Sequence, residues 1–578
     1  MNKIRLWIFA VALLNLIACK QTDSHLDGVI MEDKHSIATG KLLFNQYCST
    51  CHNFNFDGIG PRLGGITDTM PVTWIKDFIH NPQGSIDSGD ARATRLFARY
   101  KLVMPPFVGL GDSSINQIIA YLHTRKALLL SSRYSDRAEV TNPIPDTIEM
   151  SDLVCDLKLI AQFPTTGKEG VAPLARITKL DYEPHSGQTY VLDMNGKLYK
   201  LINDQPVVYM DLTKLIPNLL LQPGLSSGYN NFAFHPEFYK NGLLYTAHSE
   251  PAATKKADFA VDDTLEAAMQ FVITEWKVSN PMQSSFEGQG RELFRIEMVS
   301  KAHGVQEIAF NPIAKPGTED YGMLYISIGD AGAGENRYPF LLHSTRRAWG
   351  SLFRIDPNSQ NQTARPSKNG HYGIPLSNPF ASDPGAIGEL YAYGFRNPHR
   401  ITWTQKGQLL LSNIGHGDIE ALDWVRPGQD YGWPYMEGEF VIDPFGDLTK
   451  VYAPIATDTL AAHIPAPIAQ FDHDEAKAIA GGYEYKGGIS ALKGKFLFGD
   501  IPVGNLYFIN TSDIKEGATA RVYEYKVTLN GEPFRFKELN KKDRVELHFG
   551  QDAQGEIYMM TKADGKLYKI VKATRRVI

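Results

Sequence analysis

Gly196-Lys197-Leu198-Tyr199-Lys200-Leu201 returns near the end of the chain, almost unchanged, as Gly565-Lys566-Leu567-Tyr568-Lys569-Ile570. Each copy reads as a turn glycine followed by a short strand. The cadence recurs at Gly242-Leu243-Leu244-Tyr245, Gly322-Met323-Leu324-Tyr325, Gly407-Gln408-Leu409-Leu410, Gly504-Asn505-Leu506-Tyr507 and Gly555-Glu556-Ile557-Tyr558. Repetition of this unit along most of a long chain predicts a β-propeller built of four-stranded blades. The match between first and last copies fits a ring whose ends meet. The spacing is irregular, so some loops are long; a pair of β-sandwiches is the alternative architecture.

At 578 residues the chain is too long for one ordinary core, and a multidomain protein is expected. Its 43% hydrophobic and 21% charged content suit a soluble globular protein. A net charge of -5 without a long basic run argues against nucleic acid as a partner. At the N-terminus, Lys3 and Arg5 precede an almost wholly apolar run from Leu6 to Ala18, too short to span a bilayer comfortably. It ends in Leu16-Ile17-Ala18-Cys19, which resembles the lipobox of bacterial lipoproteins. An ordinary secretory signal with a chance cysteine is the alternative. The resemblance implies a signal peptide over 1–18, a lipid on Cys19, a tether over 19–35 and a cell-envelope location facing the periplasm or exterior. Lys20 rather than aspartate after the cysteine leans toward the outer membrane.

Cys48-Ser49-Thr50-Cys51-His52 is a CxxCH motif. Two cysteines at this spacing reach both vinyl groups of a haem, and the adjacent histidine then lies under the iron. The alternatives are a redox CxxC, which wants a βαβ setting, and half a zinc site, which wants further Cys or His at suitable spacing. Neither context is present. Cys48 and Cys51 are therefore expected as thioethers and His52 as an iron ligand of one covalent haem c. Of the four cysteines, Cys155 is left over as a buried or inert thiol.

Around the motif, Ala38, Leu42, Leu43 and Tyr47 make one helical stripe, and Ile115, Ile118, Ile119 and Leu122 make another on a helix begun by Asp112. Met104, in Tyr100-Lys101-Leu102-Val103-Met104-Pro105-Pro106-Phe107, is the best sixth iron ligand; Met70 also precedes a proline but lies closer to His52. Residues 36–126 resemble class I cytochromes c, a small all-α domain, in which the axial methionine precedes a proline. That resemblance also gives the carbonyl of Pro61, in Gly60-Pro61-Arg62-Leu63, the task of supporting the axial histidine. Methionine ligation raises the haem potential and suits an electron acceptor. Residues 127–156, with Thr141-Asn142-Pro143-Ile144-Pro145, read as a linker.

Residues 157–578 carry Phe234-His235-Pro236-Glu237-Phe238, His303-Gly304-Val305-Gln306-Glu307-Ile308, Ile326-Ser327-Ile328-Gly329-Asp330 and Tyr372-Gly373-Ile374-Pro375. More specific still are Phe395-Arg396-Asn397-Pro398 and Gly428-Gln429-Asp430-Tyr431-Gly432-Trp433-Pro434. Together these segments resemble the soluble glucose/sorbosone dehydrogenase family, an all-β six-bladed propeller that binds pyrroloquinoline quinone (PQQ) and calcium. The resemblance implies His303 as the base that takes the hydroxyl proton, Arg396 on a PQQ carboxylate, Asn397 on its quinone oxygens, and the Gly415 and His416 carbonyls on Ca2+. Asp330 can orient the imidazole. Without the resemblance, His303 reads as a turn or core residue and Arg396-Asn397 as a corner lock. Asp418, Glu420 and Asp423 read as a second ion site or a solvated acidic loop.

Two departures stand out. The family's cofactor lysine is replaced by Pro502, and of an expected arginine pair only Arg544 is present; Lys486, Lys493 and Lys495 are candidate substitutes. The leading functional expectation is a PQQ-dependent dehydrogenase that oxidises a sugar or polyol and passes electrons through its own haem to a downstream cytochrome or other acceptor. One alternative is a PQQ-less propeller that binds carbohydrate or protein beside an electron-transfer cytochrome. The other is a haem-only enzyme such as a peroxidase, which Met104 would block by filling the open iron position.

Overall fold

The computed structural model describes residues 29–575, except 50, 56, 58–59, 101–102, 108, 127–132, 170–172, 223–225, 359–360, 362 and 540–543. The signal, most of the tether and Cys19 lie outside the described residues. Among the described residues no helix is long and apolar enough to cross a membrane.

The N-terminal unit is helical. Its first helix, Lys34–Tyr47, is capped by Asp33, whose carboxylate accepts from the Ser36 N–H at 2.9 Å. This helix crosses the last one, Asp112–His123, at Gly40. A Cβ there would meet the Gln117 carbonyl oxygen at 1.8 Å, so only glycine permits the approach. The crossing turns the first helix relative to the expected stripe. Ser36, Gly40 and Phe44 are buried, whereas Leu42 is 70% exposed. The stripe on the last helix is as expected, with Ile115, Ile118, Ile119 and Leu122 all buried. Gly40→Val is expected to destabilise this unit by about 1–3 kcal/mol through overpacking, read as a lower midpoint in urea unfolding followed at the haem.

The remainder is a propeller. Four separate four-stranded sheets begin at Ile177–Tyr182, Tyr229–Phe234, Val305–Phe310 and Asn397–Trp403. A nine-stranded sheet divides into two more blades, making six among the described residues. The fifth blade contains Tyr483–Glu484, Lys495–Gly499, Leu506–Asn510 and Tyr523–Leu529; the sixth contains Leu547–Gln551, Ile557–Thr561 and Lys566–Arg575. The fourth strand of the sixth blade is Glu149–Gln162, from the other end of the domain. It runs antiparallel to Lys566–Arg575 and parallel to Tyr523–Leu529. The ring is thus closed by pairing the two chain ends, which removes an open sheet edge.

That strand starts ahead of the propeller boundary at Leu157 expected from sequence. The segment before it is also pinned to the propeller: Arg137 pairs with Asp458 at 2.7 Å, and the Val140 N–H donates to the Val451 carbonyl at 2.9 Å. Cys155 lies fully buried in this strand, and burial pushes its thiol up to about 12. All seven glycines that begin the repeated Gly-strand unit have positive φ, between 64° at Gly242 and 100° at Gly196. They precede the second strand in some blades and the third in others, which accounts for the irregular spacing.

Candidate active site and haem pocket

The first strands of the blades line the central channel, and the loops entering them meet at one mouth. A cavity of about 1250 Å³ lies there. Its walls include His303, Arg396, Asn397, Gly415 and His416, so the structure brings the propeller residues expected from sequence into one place.

His303 sits just before Val305–Phe310 with φ 46°, a left-handed conformation rare outside glycine. Its Nδ1 is 2.7 Å from Asp330 Oδ1. A carboxylate oxygen accepts, so the neutral imidazole that suits this contact carries its proton on Nδ1 and presents Nε2 as an acceptor. Asp330 is itself locked: Oδ1 also accepts from the Gly332 N–H at 2.7 Å, and Oδ2 accepts from Trp433 Nε1 at 3.0 Å. Asp330 is fully buried. This base-plus-orienter geometry suits removal of a proton from a bound hydroxyl.

Arg396 is engaged within the protein. Its guanidinium pairs with Glu335 and donates to the Gly415 carbonyl. Burial alone would raise the Glu335 carboxyl, but Arg396 and His416 outweigh it and hold the carboxylate well below its usual range. The Gly415 carbonyl, expected on a calcium ion, is therefore occupied by a guanidinium. Beneath the loop, Glu437 Oε1 accepts the N–H groups of His416, Gly417, Asp418 and Ile419 at 2.6, 3.1, 3.1 and 3.0 Å. Glu420 instead receives the Gly415 and Ile479 N–H groups and His473, which makes it a structural anchor. Asp423 is buried, and burial raises its carboxyl to about 7. Among the described residues no group of three or more His, Cys, Asp or Glu is arranged to hold a metal ion.

Several buried polar atoms around the cavity have no hydrogen-bond partner: Arg396 Nε, Asn397 Oδ1, His399 Nδ1, His416 Nε2 and both ring nitrogens of His548. Burial is the main reason that His399 and His548 titrate well below the ordinary histidine range, so both are neutral. Pro502 lines the cavity, and so do Lys477, Arg544 and Lys562. Lys486, Lys493 and Lys495, the substitutes expected from sequence, do not line it. Lys493 and Lys495 bond elsewhere, to the Lys486 carbonyl at 3.2 Å and Asn510 at 3.1 Å. Lys477 and Lys562 were illegible because they enter from different blades, Lys562 just after the strand Ile557–Thr561. Arg544 and Lys562 share Glu546. Burial works against that carboxylate, yet these two cations hold it down to about 2.

The helical unit has its own apolar cavity, walled by Cys48, Cys51, His52, Pro61, Met104 and Leu122 among others. His52 Nδ1 lies 2.7 Å from the Pro61 carbonyl oxygen, which fixes the ring and leaves Nε2 for a metal. A Cβ at Gly60 would meet His52 Cε1 at 2.5 Å, so the loop packs flat against the ring. As free thiols, Cys48 is pushed up to about 12 and Cys51 up to about 11 by burial. Met70 packs in the core outside this cavity.

The fold and these two cavities define a helical cytochrome-type domain joined to a propeller with a His–Asp pair at its mouth. Residues 37–126 match the cytochrome c family and residues 182–569 match the glucose/sorbosone dehydrogenase family. The chain belongs to the glucose/sorbosone dehydrogenase family and carries an N-terminal cytochrome c domain. It is 22% identical over 388 residues to the HIPL1 protein of Arabidopsis thaliana, covering 60% of this chain and 53% of that one. It is 26% identical over 229 residues to quinoprotein glucose dehydrogenase B of Acinetobacter calcoaceticus, covering 39% and 43%. The chain spans about half the length of the curated relatives it matches. The soluble aldose sugar dehydrogenase of Escherichia coli, solved in its apo form, aligns with a TM-score of 0.49 at 17% identity over 73% of this chain and 100% of that one.

Proposed function

We propose that this chain is an aldose-type dehydrogenase that oxidises a hydroxyl of a sugar or other polyol with PQQ, and that it passes the electrons to haem c bound to its own N-terminal domain. The observation that carries this reading is the His303–Asp330 pair, opening into the same cavity as Arg396 and Asn397. His303 Nε2 takes the hydroxyl proton, and Asp330 holds the imidazole in the required tautomer and steadies the imidazolium that forms. When bound, PQQ supplies an electrophilic quinone that accepts the substrate's hydride.

The residues present fit PQQ through the cavity's unpartnered buried atoms and its cations. Asn397 and His416 offer unused hydrogen-bonding atoms. Lys477, Arg544 and Lys562 offer positive charge for carboxylates in place of the missing lysine. Calcium fits less well, because an ion on the Gly415 carbonyl would sit beside the Arg396 guanidinium that already donates to that oxygen.

In the cytochrome domain, Cys48 and Cys51 hold haem by thioethers, and His52 and Met104 ligate its iron. Carrying the acceptor on the same chain sets its effective concentration at roughly millimolar. Lipid on Cys19 anchors the chain in the cell envelope, where a downstream cytochrome or other carrier takes the electrons.

The test is to purify the full chain with haem attached, add PQQ and Ca2+, and follow haem absorbance across a panel of sugars and polyols. Reduction by at least one sugar, dependent on PQQ, supports the reading. Absence of PQQ binding by calorimetry overturns it. That result would favour the second reading, a PQQ-less binding propeller, for which the engagement of Arg396 by Glu335 and Gly415 is the supporting observation.

A further inference from the structure

The two cavities share a wall. Phe97 and Tyr100 line the haem pocket, and both also line the cavity at the propeller mouth. They lie three residues apart near the end of the helix Ala91–Tyr100, so they project from one face of it. Asp57, Gln83, Arg99 and Val103 of the cytochrome domain line the mouth cavity as well, so this domain roofs the propeller channel. The roof is tied down at its rim by Lys41, which pairs with Glu266 of the propeller at 2.5 Å. The haem-bearing face therefore points into the propeller mouth. Next to Tyr100, Arg99 pairs with Asp57 at 2.6 Å.

Resting on the dehydrogenase reading above, we propose that Phe97 and Tyr100 form the aromatic partition through which electrons released in the propeller cavity reach the haem of the same chain. Oxidising one CH–OH group to C=O releases two electrons and two protons. A haem accepts a single electron, so the pair leaves the cavity one at a time. Each passage reduces one ferric haem to ferrous, and a proton goes to solvent with it. The ferrous haem is then reoxidised by a one-electron acceptor outside the chain. The two rings line both cavities, with Phe97 39% exposed between them, and in this role they limit the water that reaches the haem pocket while the electron crosses. Both residues are positioning residues: they set distance and hydration, and they exchange no proton with substrate.

The experiment uses the full chain with haem attached, supplied with PQQ, Ca2+ and a sugar. It compares the double variant Phe97→Ala/Tyr100→Ala with the ring-keeping pair Phe97→Tyr/Tyr100→Phe. The first readout is the ratio of the haem reduction rate to the reduction rate of a small dye. In the alanine pair that ratio is expected to fall by about tenfold or more, the factor that follows from a barrier higher by roughly 1.4 kcal/mol. The ring-keeping pair is expected to restore it. The second readout is the haem midpoint potential without sugar or PQQ, which is expected to drop in the alanine pair as water enters the pocket. A ratio unchanged in the alanine pair, a ratio not restored by the ring-keeping pair, or an unmoved potential overturns the inference while the dehydrogenase reading stands. Failure of the unmodified chain to reduce the dye overturns that reading, and the inference with it.

Discussion

His303→Ala is expected to lower kcat for sugar-dependent dye reduction by roughly 10²–10⁴-fold, the range for losing a positioned general base, while the haem spectrum stays as it is. His303 does not line the haem pocket, so the two readouts separate. Asp330→Asn gives a sharper test because it keeps size and shape. Asp330 Oδ1 accepts from Gly332 and His303, and Oδ2 accepts from Trp433. An amide has one oxygen and one nitrogen for these two places. With nitrogen toward Trp433, two donors face each other. With nitrogen toward His303, the imidazole must accept through Nδ1, and its proton moves to Nε2, where it blocks the base. Both orientations damage the site, and a loss approaching 10⁴-fold in kcat is expected, with the cavity intact. Steady-state kinetics with an added dye decide this. If Asp330→Asn retains more than about a tenth of kcat, a gap of under roughly 1.4 kcal/mol in the barrier, the orienting role is wrong.

The largest stability effect is expected deeper in the channel. Glu307 pairs there with Lys179 and, through Oε2 at 2.9 Å, with Arg400. Lys179 also donates to the Asn231 side chain and the Phe232 carbonyl, both at 2.9 Å, and Arg400 donates to the Thr178 carbonyl at 2.6 Å. Three blades are thereby joined through one carboxylate. The side chains of Lys179, Glu307 and Arg400 are 4%, 3% and 8% exposed, so each charge depends on the others. Glu307→Ala strands the buried Arg400 guanidinium and leaves Lys179 with Asp181 at 3.6 Å as its remaining acid, and it is expected to cost about 3–5 kcal/mol, read from urea unfolding followed by tryptophan fluorescence. A loss below about 1 kcal/mol, the level of an exposed pair, would falsify the account. Replacing Lys179, Glu307 and Arg400 together by apolar residues of similar volume is expected to recover much of the stability, because it removes the stranded charge.

Other parts of the molecule could be read without coordinates, for a shared reason. The haem motif, the turn glycines and the stripe on Asp112–His123 are requirements imposed by neighbours in sequence. Thioether spacing, a positive φ before a strand and helical periodicity are each complete within a few residues. Where the signal came from across the fold, local reading went astray. The first helix buries Gly40 rather than Leu42, because the crossing with the last helix demands a small residue at that point. Lysines adjacent in sequence, Lys486, Lys493 and Lys495, do not line the cavity, whereas Lys477 and Lys562 do. Glu335, which occupies Arg396, sits in a loop that carries no motif.

By itself, then, the sequence determined the class of each domain and the haem-binding motif, because those rest on local backbone and bonding needs, while His303 was marked as the candidate base by family resemblance. The tertiary structure alone decided which residues share the mouth cavity, that Glu149–Gln162 closes the ring, and that Phe97 and Tyr100 stand between the two cavities. Ring closure makes neighbours of residues hundreds of positions apart, and no pattern in one stretch of chain records which charges it brings face to face.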